Sequence, residues 1–323
     1  MLPLQINHVK IPPIKCQGIK SKLINFITSN ISWNGEGRWV EPFLGSGVVL
    51  FNVQPERALI GDSNPHIINF YQQIQNGNIT PDIVREYLYE QGQQLEQTGV
   101  DASSYYYEVR KRFNENPNAL DFLFLSRACF NGVMRFNKKG GFNVPFCKKP
   151  ERFRQAYITK IVNQVGWVSE IMQGKDWTFV HQDWRETLSD LTTRDFVYLD
   201  PPYIGRFADY YNQWSEEDAN DLARITQQLD SGYALSMWAS SEFRTNDYLE
   251  QWNGEVITQG HFYHMGATEN LRNEINEALV ISPEYLFTGN SKEIPIRGNN
   301  NDEEKQEQQK NLRFEQMELI EFQ

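Results

Sequence analysis

The sequence predicts an α/β fold with a largely parallel central sheet. Short apolar runs of strand length alternate with segments of helical spacing, which is typical of parallel strands joined by helices. This alternation is interrupted between residues 76 and 154 by a mainly helical pattern. The chain has 323 residues, of which 40% are hydrophobic and 13% aromatic, so we expect about two domains and a sizeable core.

The predicted elements follow one another in a definite order. A strand runs from Arg38 into a glycine turn at Gly45–Gly47, and further strands are expected at 58–61, 177–180, 196–199, 233–237 and 278–281. Helices are expected to begin within residues 15–23 and 48–51 and to span 82–97, 103–114, 119–128 and 216–229. The Gly140–Gly141 pair predicts a hairpin turn.

These elements divide the chain into three parts. Residues 1–75 and 155–287 form a discontinuous catalytic domain, and residues 76–154 form the helical insert with its hairpin. Residues 288–323 are rich in Gly and Asn and then in Glu, Gln and Lys, which predicts an acidic, loosely ordered tail. Within it, residues 312–320 have the pattern of a short docking helix.

The composition argues against several classes of protein. Three cysteines without paired spacing predict reduced thiols, and five scattered histidines, with His261 and His264 the nearest pair, predict no metal site. The sequence has no run of about 18 apolar residues and no signal-segment pattern at its N-terminus. We therefore expect a cytoplasmic protein without a membrane span.

The net charge of −11 hides a local basic stretch. Between residues 131 and 155 the charged side chains are one acid, Glu151, and seven bases: Arg135, Lys138, Lys139, Lys148, Lys149, Arg152 and Arg154. A basic patch attracts phosphate whatever the overall charge. The alternative is a solvated cationic loop, but four phenylalanines interleave with these bases.

The most informative motif is the tetrapeptide from Asp200 to Tyr203, which closes the apolar strand at 196–199. Pro201 and Pro202 fix φ and remove two backbone donors, leaving a stiff corner with a carboxylate, bare carbonyls and a ring. Such a corner suits a flat base that carries an amino group, and open α/β sheets place their chemistry at this edge. An ordinary turn at the end of a strand is the alternative.

A second motif predicts a nucleoside cofactor. Gly45 and Gly47 allow the backbone to approach a ligand, but no third glycine and no Lys-Ser/Thr follows, so a phosphate cradle is not indicated. Asp62 ends the next strand, where an acid holds a ribose hydroxyl pair. The alternative is that Asp62 caps the following helix. S-adenosylmethionine fits a nucleoside without a cradled phosphate.

Together and in this order, these motifs resemble the Dam-type family of DNA adenine-N6 methyltransferases, the D12 class with the alpha-group order of motifs. The resemblance covers roughly residues 9–282 and implies a Rossmann-like S-adenosylmethionine-dependent methyltransferase sheet with a target-recognition insert at 76–154. It also implies action on double-stranded DNA, in a bacterial or phage setting at the nucleoid. No metal is implied, and a monomer or weak dimer is expected.

The resemblance assigns the cofactor contacts to the first turn, the glycine loop and the strand ends. These residues are Cys16, Gly18, Lys20, Glu41, Pro42, Phe43, Gly45, Gly47, Asp62, Asp183, Trp184 and Asp200. Cys16 stands where the family usually has tryptophan, and Ile19 replaces its second glycine. Asp183 would accept a hydrogen bond from the amino group of the cofactor's adenine, with Trp184 packed on the adenine ring. The alternative is that Asp183 caps the helix that follows.

The resemblance also assigns a DNA-binding set: Lys15, Phe130, Asn131, Val133, Arg135, Asn137, Lys138, Lys139 and Pro145. Arg135 would read a guanine in the major groove, with a phosphate contact as the alternative, and Lys15 would contact a second guanine. Val133 and Pro145 would pack on a thymine methyl. Phe130 would wedge into the base stack, with Asn131 near the vacated space.

The implied reaction is direct methyl transfer to an adenine flipped out of the duplex, since its N6 is paired and shielded in the stack. The base would stack on Tyr203, while the Asp200 carboxylate and the Pro201 carbonyl would accept hydrogen bonds from the N6 amino group. The site would be GATC or a longer sequence beginning with GAT, methylated alone or beside a restriction enzyme. Cytosine-N4 and RNA methyltransferases, or a decayed DNA-binding scaffold, are the alternatives.

Overall fold

The computed structural model describes residues 1–97, 102–203, 214–241, 244–262 and 274–297. The helices among them are α1 (Ile24–Asn30), α2 (Val48–Val53), α3 (Pro65–Gln75), α4 (Pro81–Gln97), α5 (Ala102–Glu115), α6 (Ala119–Ala128), α7 (Gln155–Met172), α8 (Trp184–Thr187) and α9 (Glu216–Thr226). The strands are β1 (Gln5–Ile6), β2 (Trp39–Glu41), β3 (Arg57–Asp62), β4 (Asp176–His181), β5 (Phe196–Leu199), β6 (Gly232–Ser241), β7 (Arg244–Thr245), β8 (Glu255–Phe262), β9 (Glu274–Ile281) and β10 (Ile296–Arg297).

Eight of the described strands form one sheet in the order β4-β3-β2-β5-β6-β9-β8, with β7 paired to β6. Strands β4, β3, β2, β5 and β6 run parallel, whereas β9 is antiparallel to both β6 and β8. The mostly parallel sheet predicted from the sequence is therefore confirmed. The strand order reverses between β2 and β5, and open α/β sheets bind ligands in the crevice at such a point.

Side chains of the central strands alternate between two apolar layers. On β5, Phe196 and Tyr198 join the cluster formed with α2, α3 and α7, whereas Val197 and Leu199 join the cluster formed with α8 and α9. This alternation follows from the two-residue period of a strand. All four residues are buried, which explains why the segment is apolar without interruption.

All six predicted strands are present, but β8 was not anticipated from the sequence. It lies at the edge of the sheet, and Val256 within it is 45% exposed. Because an edge strand packs on few neighbours, its sequence carries polar residues in place of an apolar run. The short strands β1, β7 and β10 were missed for the same lack of a pattern.

The first helix starts later than predicted. We predict a start within residues 15–23, and this is wrong, because α1 begins at Ile24 and residues 17–18 and 21–23 form turns. Gly18 has a φ of 78°, a left-handed conformation that cannot continue a right-handed helix. Between these turns, the Lys20 ammonium donates to the Gly18 carbonyl at 3.1 Å.

The insert has the predicted local structure. Its three predicted helices are confirmed as α4, α5 and α6. The hairpin at Gly140–Gly141 is confirmed by an antiparallel bridge between Phe136 and Phe142 and by the bond from Asn137 N to Gly141 O. The helix predicted at 216–229 is confirmed as α9, three residues shorter at its end.

The phenylalanines of the basic stretch belong to the core. Phe136, Phe142, Phe146 and Phe153 are all buried, and their rings pack on aromatic side chains of α3, α5 and α6. They anchor the stretch, which is why it is not a simple solvated loop. One apolar cluster continues from the sheet into α4–α6, so the two regions share a core, and their division into separate domains remains a prediction.

The first residues of the predicted tail are tied to the fold. Residues 291–293 form a 3-10 turn, and β10 pairs in parallel with β1. The Arg297 guanidinium donates to the carbonyls of Asn52 and Val53 at 2.7 and 3.2 Å. The prediction of loose order from residue 288 is therefore wrong up to Arg297. Residues 298–323, with the helix predicted at 312–320, lie outside the described residues.

Within the part of the chain that the structure describes, every helix is too short or too polar to cross a bilayer. The same residues contain no group of three or more metal-binding side chains. His264 falls outside them. The three cysteines are free thiols.

Candidate active site and DNA-binding face

The carboxyl ends of the parallel strands bring the predicted acids to one edge of the sheet. Glu41 ends β2, Asp62 ends β3, and Asp200 directly follows β5. Asp183 lies two residues beyond β4. Because these strands are parallel neighbours, the four acids lie along the same edge of the sheet, and Glu41 and Asp200 lie at the ends of the two strands between which the strand order reverses. The predicted position of Asp200 at the mouth of the sheet is confirmed.

Asp200 forms an ion pair with Lys20. The ammonium donates to both carboxylate oxygens, at 2.7 and 3.0 Å, and the Lys20 side chain is 3% exposed. Burial raises the pKa of Asp200, the Lys20 charge and hydrogen bond oppose this rise, and the charge of Glu277 adds to it. We predict Lys20 as a cofactor contact; its bond to Asp200 was not indicated by the sequence.

The Tyr203 ring is held from two directions. Its hydroxyl donates to Glu277 Oε2 at 2.8 Å, and the Lys20 ammonium lies 4.9 Å from the ring centroid. Beside the ring, a cavity of about 410 Å³, which includes its open mouth, is lined by Pro201, Pro202, Tyr203, Trp214, Trp238 and Trp252, among other residues. An ordinary turn would need neither the ion pair nor the hydroxyl bond.

The glycine loop has the geometry required for close approach. Gly45 and Gly47 have φ values of 53° and 75°, which favour glycine. A Cβ added at Gly45 would meet no atom within 4 Å, so the loop borders open space. One Asp62 oxygen accepts from Gly45 N at 2.9 Å and the other from Asn64 N at 2.8 Å. These residues fit a nucleoside beside the loop.

Asp62 is not the cap of the next helix. The N-cap of α3 is Asn64, whose side chain accepts from His66 N at 3.0 Å. The capping alternative for Asp62 is therefore wrong. Burial raises the pKa of Asp62 to about 6, although the amides of Asn64 and Gly45 lower it. Through its bond to Gly45 N, the Asp62 carboxylate holds the glycine loop at the end of β3.

Glu41 and Cys16 lie in the same crevice. Burial raises the pKa of Glu41 to about 8, so this carboxyl is largely protonated at neutral pH. Trp39 Nε1 donates to Glu41 Oε1 at 2.7 Å. Burial and the nearby charge of Asp62 raise the pKa of the Cys16 thiol, so the thiol stays protonated.

The acid–aromatic pair at the end of β4 has a capping role. Asp183 Oδ1 accepts from Arg185 N at 2.8 Å at the start of α8, so the N-cap interpretation is confirmed. Trp184 is buried, and its ring centroid lies 6.2 Å from that of Phe43 and 6.0 Å from that of Trp214. Asp183 Oδ2 is not needed for the cap, so a second partner for the carboxylate remains compatible with this geometry.

The predicted DNA contacts gather around the turn after α6. Phe130 is 54% exposed, and its amide donates to the Pro145 carbonyl at 2.9 Å. Lys15 packs against this turn, because a Cβ added at Gly132 would lie 2.9 Å from Lys15 Cδ. Burial and the charges of Arg127 and Arg152 lower the pKa of Lys15. Residues 117 positions apart thus form one surface.

The basic side chains of the stretch differ in their surroundings. Arg135 Nε donates to Asn143 Oδ1 at 2.9 Å, which fixes the plane of its guanidinium. Lys138 and Lys139 are exposed beside a turn that Asn137 organises through bonds to Lys139 N and Gly141 N. The basic patch is smaller than the sequence indicates, because Arg152 donates to two backbone carbonyls of the core, those of residues 127 and 129.

The sequence assigned no role to Glu277, beside the corner at Asp200, or to Asn143, beside Arg135. Glu277 is 1% exposed, and its neighbours along the chain gave no reason to assign it a role. Asn143 lies within the hairpin segment that resembles the family, but the resemblance assigned no role to it. The signal in the sequence that could mark Glu277 is an acid next to the apolar strand residues 278–281, since an acid buried in a strand requires a partner.

The chain is similar to known DNA methyltransferases over most of its length. The family model for the D12 class N6 adenine-specific DNA methyltransferases matches residues 17–270. A DNA adenine methylase of Serratia marcescens is 32% identical over 59% of this chain and 68% of that protein. One from Vibrio cholerae is 31% identical over 64% of this chain and 73% of its own. A type II methyltransferase of Lactococcus lactis subsp. cremoris is 27% identical over 86% of this chain and 97% of its own.

Proposed function

Because this chain belongs to the D12 class of N6 adenine-specific DNA methyltransferases, we propose that it transfers the methyl group of S-adenosylmethionine to an adenine flipped out of duplex DNA. The target lies in a short site with a GAT core, either GATC or a longer sequence. The observation that carries this proposal is the corner from Asp200 to Tyr203, fixed by Lys20 at the carboxyl edge of the sheet.

The corner suits the amino group of adenine. The flipped adenine ring stacks on Tyr203, and the Asp200 carboxylate and the Pro201 carbonyl accept hydrogen bonds from the two N6 hydrogens. These bonds draw N6 toward a tetrahedral geometry and expose its lone pair. Burial raises the pKa of Asp200, and the charge and hydrogen bond of Lys20 oppose this rise and so favour the carboxylate form. Orientation and fixed charge supply the acceleration, without a covalent intermediate.

Residues at the ends of β2 and β3 would hold the cofactor. When bound, S-adenosylmethionine supplies an electrophilic methyl on its sulfonium. The Asp62 carboxylate would accept from the ribose hydroxyls, and the Gly45–Gly47 loop would give the backbone room to approach. Glu41, Pro42, Phe43 and Gly18 border the site, and Trp184 with Asp183 is placed toward the adenine end. Cys16 fills less space than the ring that is usual in the family.

The surface around Phe130 reads the DNA. Arg135, with its plane set by Asn143, is placed to contact a guanine, and Lys15 a second one. Val133 and exposed Pro145 pack on a thymine methyl, while exposed Phe130 and Asn131 fill the space that the adenine leaves. Lys138 and Lys139 bind phosphate, and Asn137 supports their turn. The helical insert is the target-recognition region.

The proposed substrate places the enzyme in a bacterial or phage-infected cytoplasm, at the nucleoid. Relatives named type II methyltransferases favour a role beside a restriction enzyme, and those named DNA adenine methylase favour a solitary role. A monomer or weak dimer acting on double-stranded DNA is sufficient for this chemistry.

Single-molecule sequencing of plasmid DNA from methylase-free cells that express the chain tests the proposal. We expect N6-methyladenine in one short motif, and unmodified DNA from cells that express Asp200→Ala at the same level. Methylation of cytosine, or no methylation beside soluble wild-type protein, would overturn it. Methylation by Asp200→Ala at the wild-type level would remove Asp200 from the mechanism.

A further inference from the structure

We propose that Glu277 is a positioning residue that sets the orientation of Tyr203 for the flipped base. Glu277 lies on β9, and we assign its effect to its bond with the tyrosine hydroxyl. This inference rests on the proposed function, because it assigns to the Tyr203 ring the task of stacking on adenine.

The contact itself is close and buried. The Tyr203 hydroxyl donates to Glu277 Oε2 at 2.8 Å, and Glu277 is 1% exposed. A buried acceptor left without a partner costs free energy, so a buried carboxyl group holds a hydroxyl that reaches it. Glu277 is therefore a firm acceptor for the one polar group of a ring whose face has to meet a base.

A β-bulge in the sheet lies beside Glu277. Glu277 pairs with Trp238 on β6, and the register shifts between Trp238 and Ser240, where β6 carries an extra residue. Glu277 itself stays in the regular register that continues along β9 to Ile281. Bulges are frequent beside active sites. Because β9 is antiparallel to β6, Glu277 lies at the same edge of the sheet as Asp200.

The two contacts of the Tyr203 ring act on different parts of it. The Lys20 ammonium lies against the ring, 4.9 Å from its centroid, whereas Glu277 holds the hydroxyl at the far end. A ring fixed at both points loses little rotational freedom when a base stacks on it.

A double-mutant cycle separates positioning from a structural role. The variants are Glu277→Ala, Glu277→Gln, Tyr203→Phe and the double variant Glu277→Ala/Tyr203→Phe. Each is assayed for kcat and KM with DNA, and for fluorescence of a duplex in which 2-aminopurine replaces the target adenine. The matched control is Ser236→Ala, which removes the partner of another buried tyrosine hydroxyl, that of Tyr198, at 2.7 Å.

We expect Glu277→Ala to lower kcat about tenfold or more and to reduce the 2-aminopurine fluorescence, because a misoriented Tyr203 ring no longer holds the flipped base outside the duplex. Tyr203→Phe should reproduce this loss, and adding Glu277→Ala to it should cost nothing further. Glu277→Gln should retain most activity, because its amide oxygen accepts the same bond. Ser236→Ala should leave the fluorescence signal unchanged.

A folded Glu277→Ala with wild-type kcat and fluorescence would overturn the inference. The same holds if Glu277→Ala lowers activity equally in the Tyr203→Phe background, because its effect would then bypass the hydroxyl. If Glu277→Ala fails to fold, Tyr203→Phe decides alone: an unchanged signal overturns the inference. If the wild-type protein methylates no adenine, the proposed function itself fails, which is a distinguishable result.

Discussion

The Lys20 ammonium donates to both carboxylate oxygens of Asp200, at 2.7 and 3.0 Å, across 180 positions of sequence. Lys20 is almost fully buried, and Asp200 is shielded by the crevice at the end of β5. Charges removed from water are stable only when paired. The pair therefore links the turn before α1 to the corner of the active site and determines the charge that an incoming amino group meets.

Replacement of Lys20 by methionine should shift the pH dependence of methyl transfer. The Lys20 charge lowers the pKa of Asp200, so its loss raises that pKa, and the acid limb of the rate profile moves to higher pH. Below the new pKa, the rate should fall about tenfold for each pH unit. Initial rates of methyl transfer between pH 5.5 and 9 measure the displacement.

The matched control is Lys22→Met, which removes an exposed ammonium two residues away. We expect its profile to overlay that of the wild type. If Lys20→Met shows the wild-type profile as well, the ion pair does not govern the ionisation of Asp200 in the working enzyme.

Cofactor binding should depend on the ionisation of Asp62. Burial raises the pKa of Asp62 to about 6, so the carboxylate becomes protonated as the pH falls through this value. Affinity for S-adenosylmethionine should weaken below pH 6, because a neutral carboxyl is a poorer acceptor for ribose hydroxyls. Asp62→Asn should bind about 10- to 100-fold more weakly, the equivalent of one hydrogen bond to a charged group.

Titration calorimetry with S-adenosylmethionine from pH 5 to 9 checks this prediction. The inflection near pH 6 should be absent from Asp62→Asn. Any inflection near pH 8 belongs to Glu41, whose pKa is raised to about 8, and should persist in the variant. Equal affinity of Asp62→Asn and wild type at pH 7 would exclude the ribose contact.

Arg135 and Lys138 should respond differently to truncation. Arg135→Ala should cost about 1–3 kcal/mol of binding free energy and relax the preference at one base pair, because a base contact is lost. Lys138→Ala should weaken binding to all sequences alike and reduce the slope of log Kd against log salt by about one. Competition binding with a set of single-base variants of the site, at several salt concentrations, distinguishes them.

The alternative for Arg135, a phosphate contact, would give it the behaviour of Lys138 in this experiment. Asn143→Ala tests the positioning of Arg135, because it removes the acceptor that holds Arg135 Nε. It should reduce discrimination at the same base pair less strongly than Arg135→Ala. A change at a different base pair would argue against the positioning role of Asn143.

Truncation of Phe142 to alanine should destabilise the whole protein. This ring is 1% exposed and packs edge-to-face on Phe113 and Phe136, so its loss leaves a cavity that costs about 3–5 kcal/mol of the free energy of unfolding. Since one apolar cluster joins the insert to the sheet, urea unfolding followed by circular dichroism should remain a single transition with a lower midpoint. A separate early transition would show an independently folding insert.

The central strands and the helices of the insert could be predicted because their signals are local. The strand at 196–199 is uniformly apolar, and the helix at 119–128 was bounded correctly by its spacing alone. The basic stretch was read only in part, since Phe136 and Phe142 turn inward and Arg152 serves the backbone. Whether a side chain faces solvent or core depends on what packs over it, and no local pattern contains that.

The sequence by itself determined the class of fold, the family, and the position of Asp200, Asp62 and the glycine loop, because residues at strand ends are carried to one edge by any parallel sheet. It did not indicate that Lys20 pairs with Asp200, that Asn64 rather than Asp62 caps α3, or that Glu277 holds Tyr203. The Glu277–Tyr203 bond spans 74 positions and joins β9 to the corner that follows β5. Such partners meet only after strand order and register are set, so the tertiary structure alone decided them.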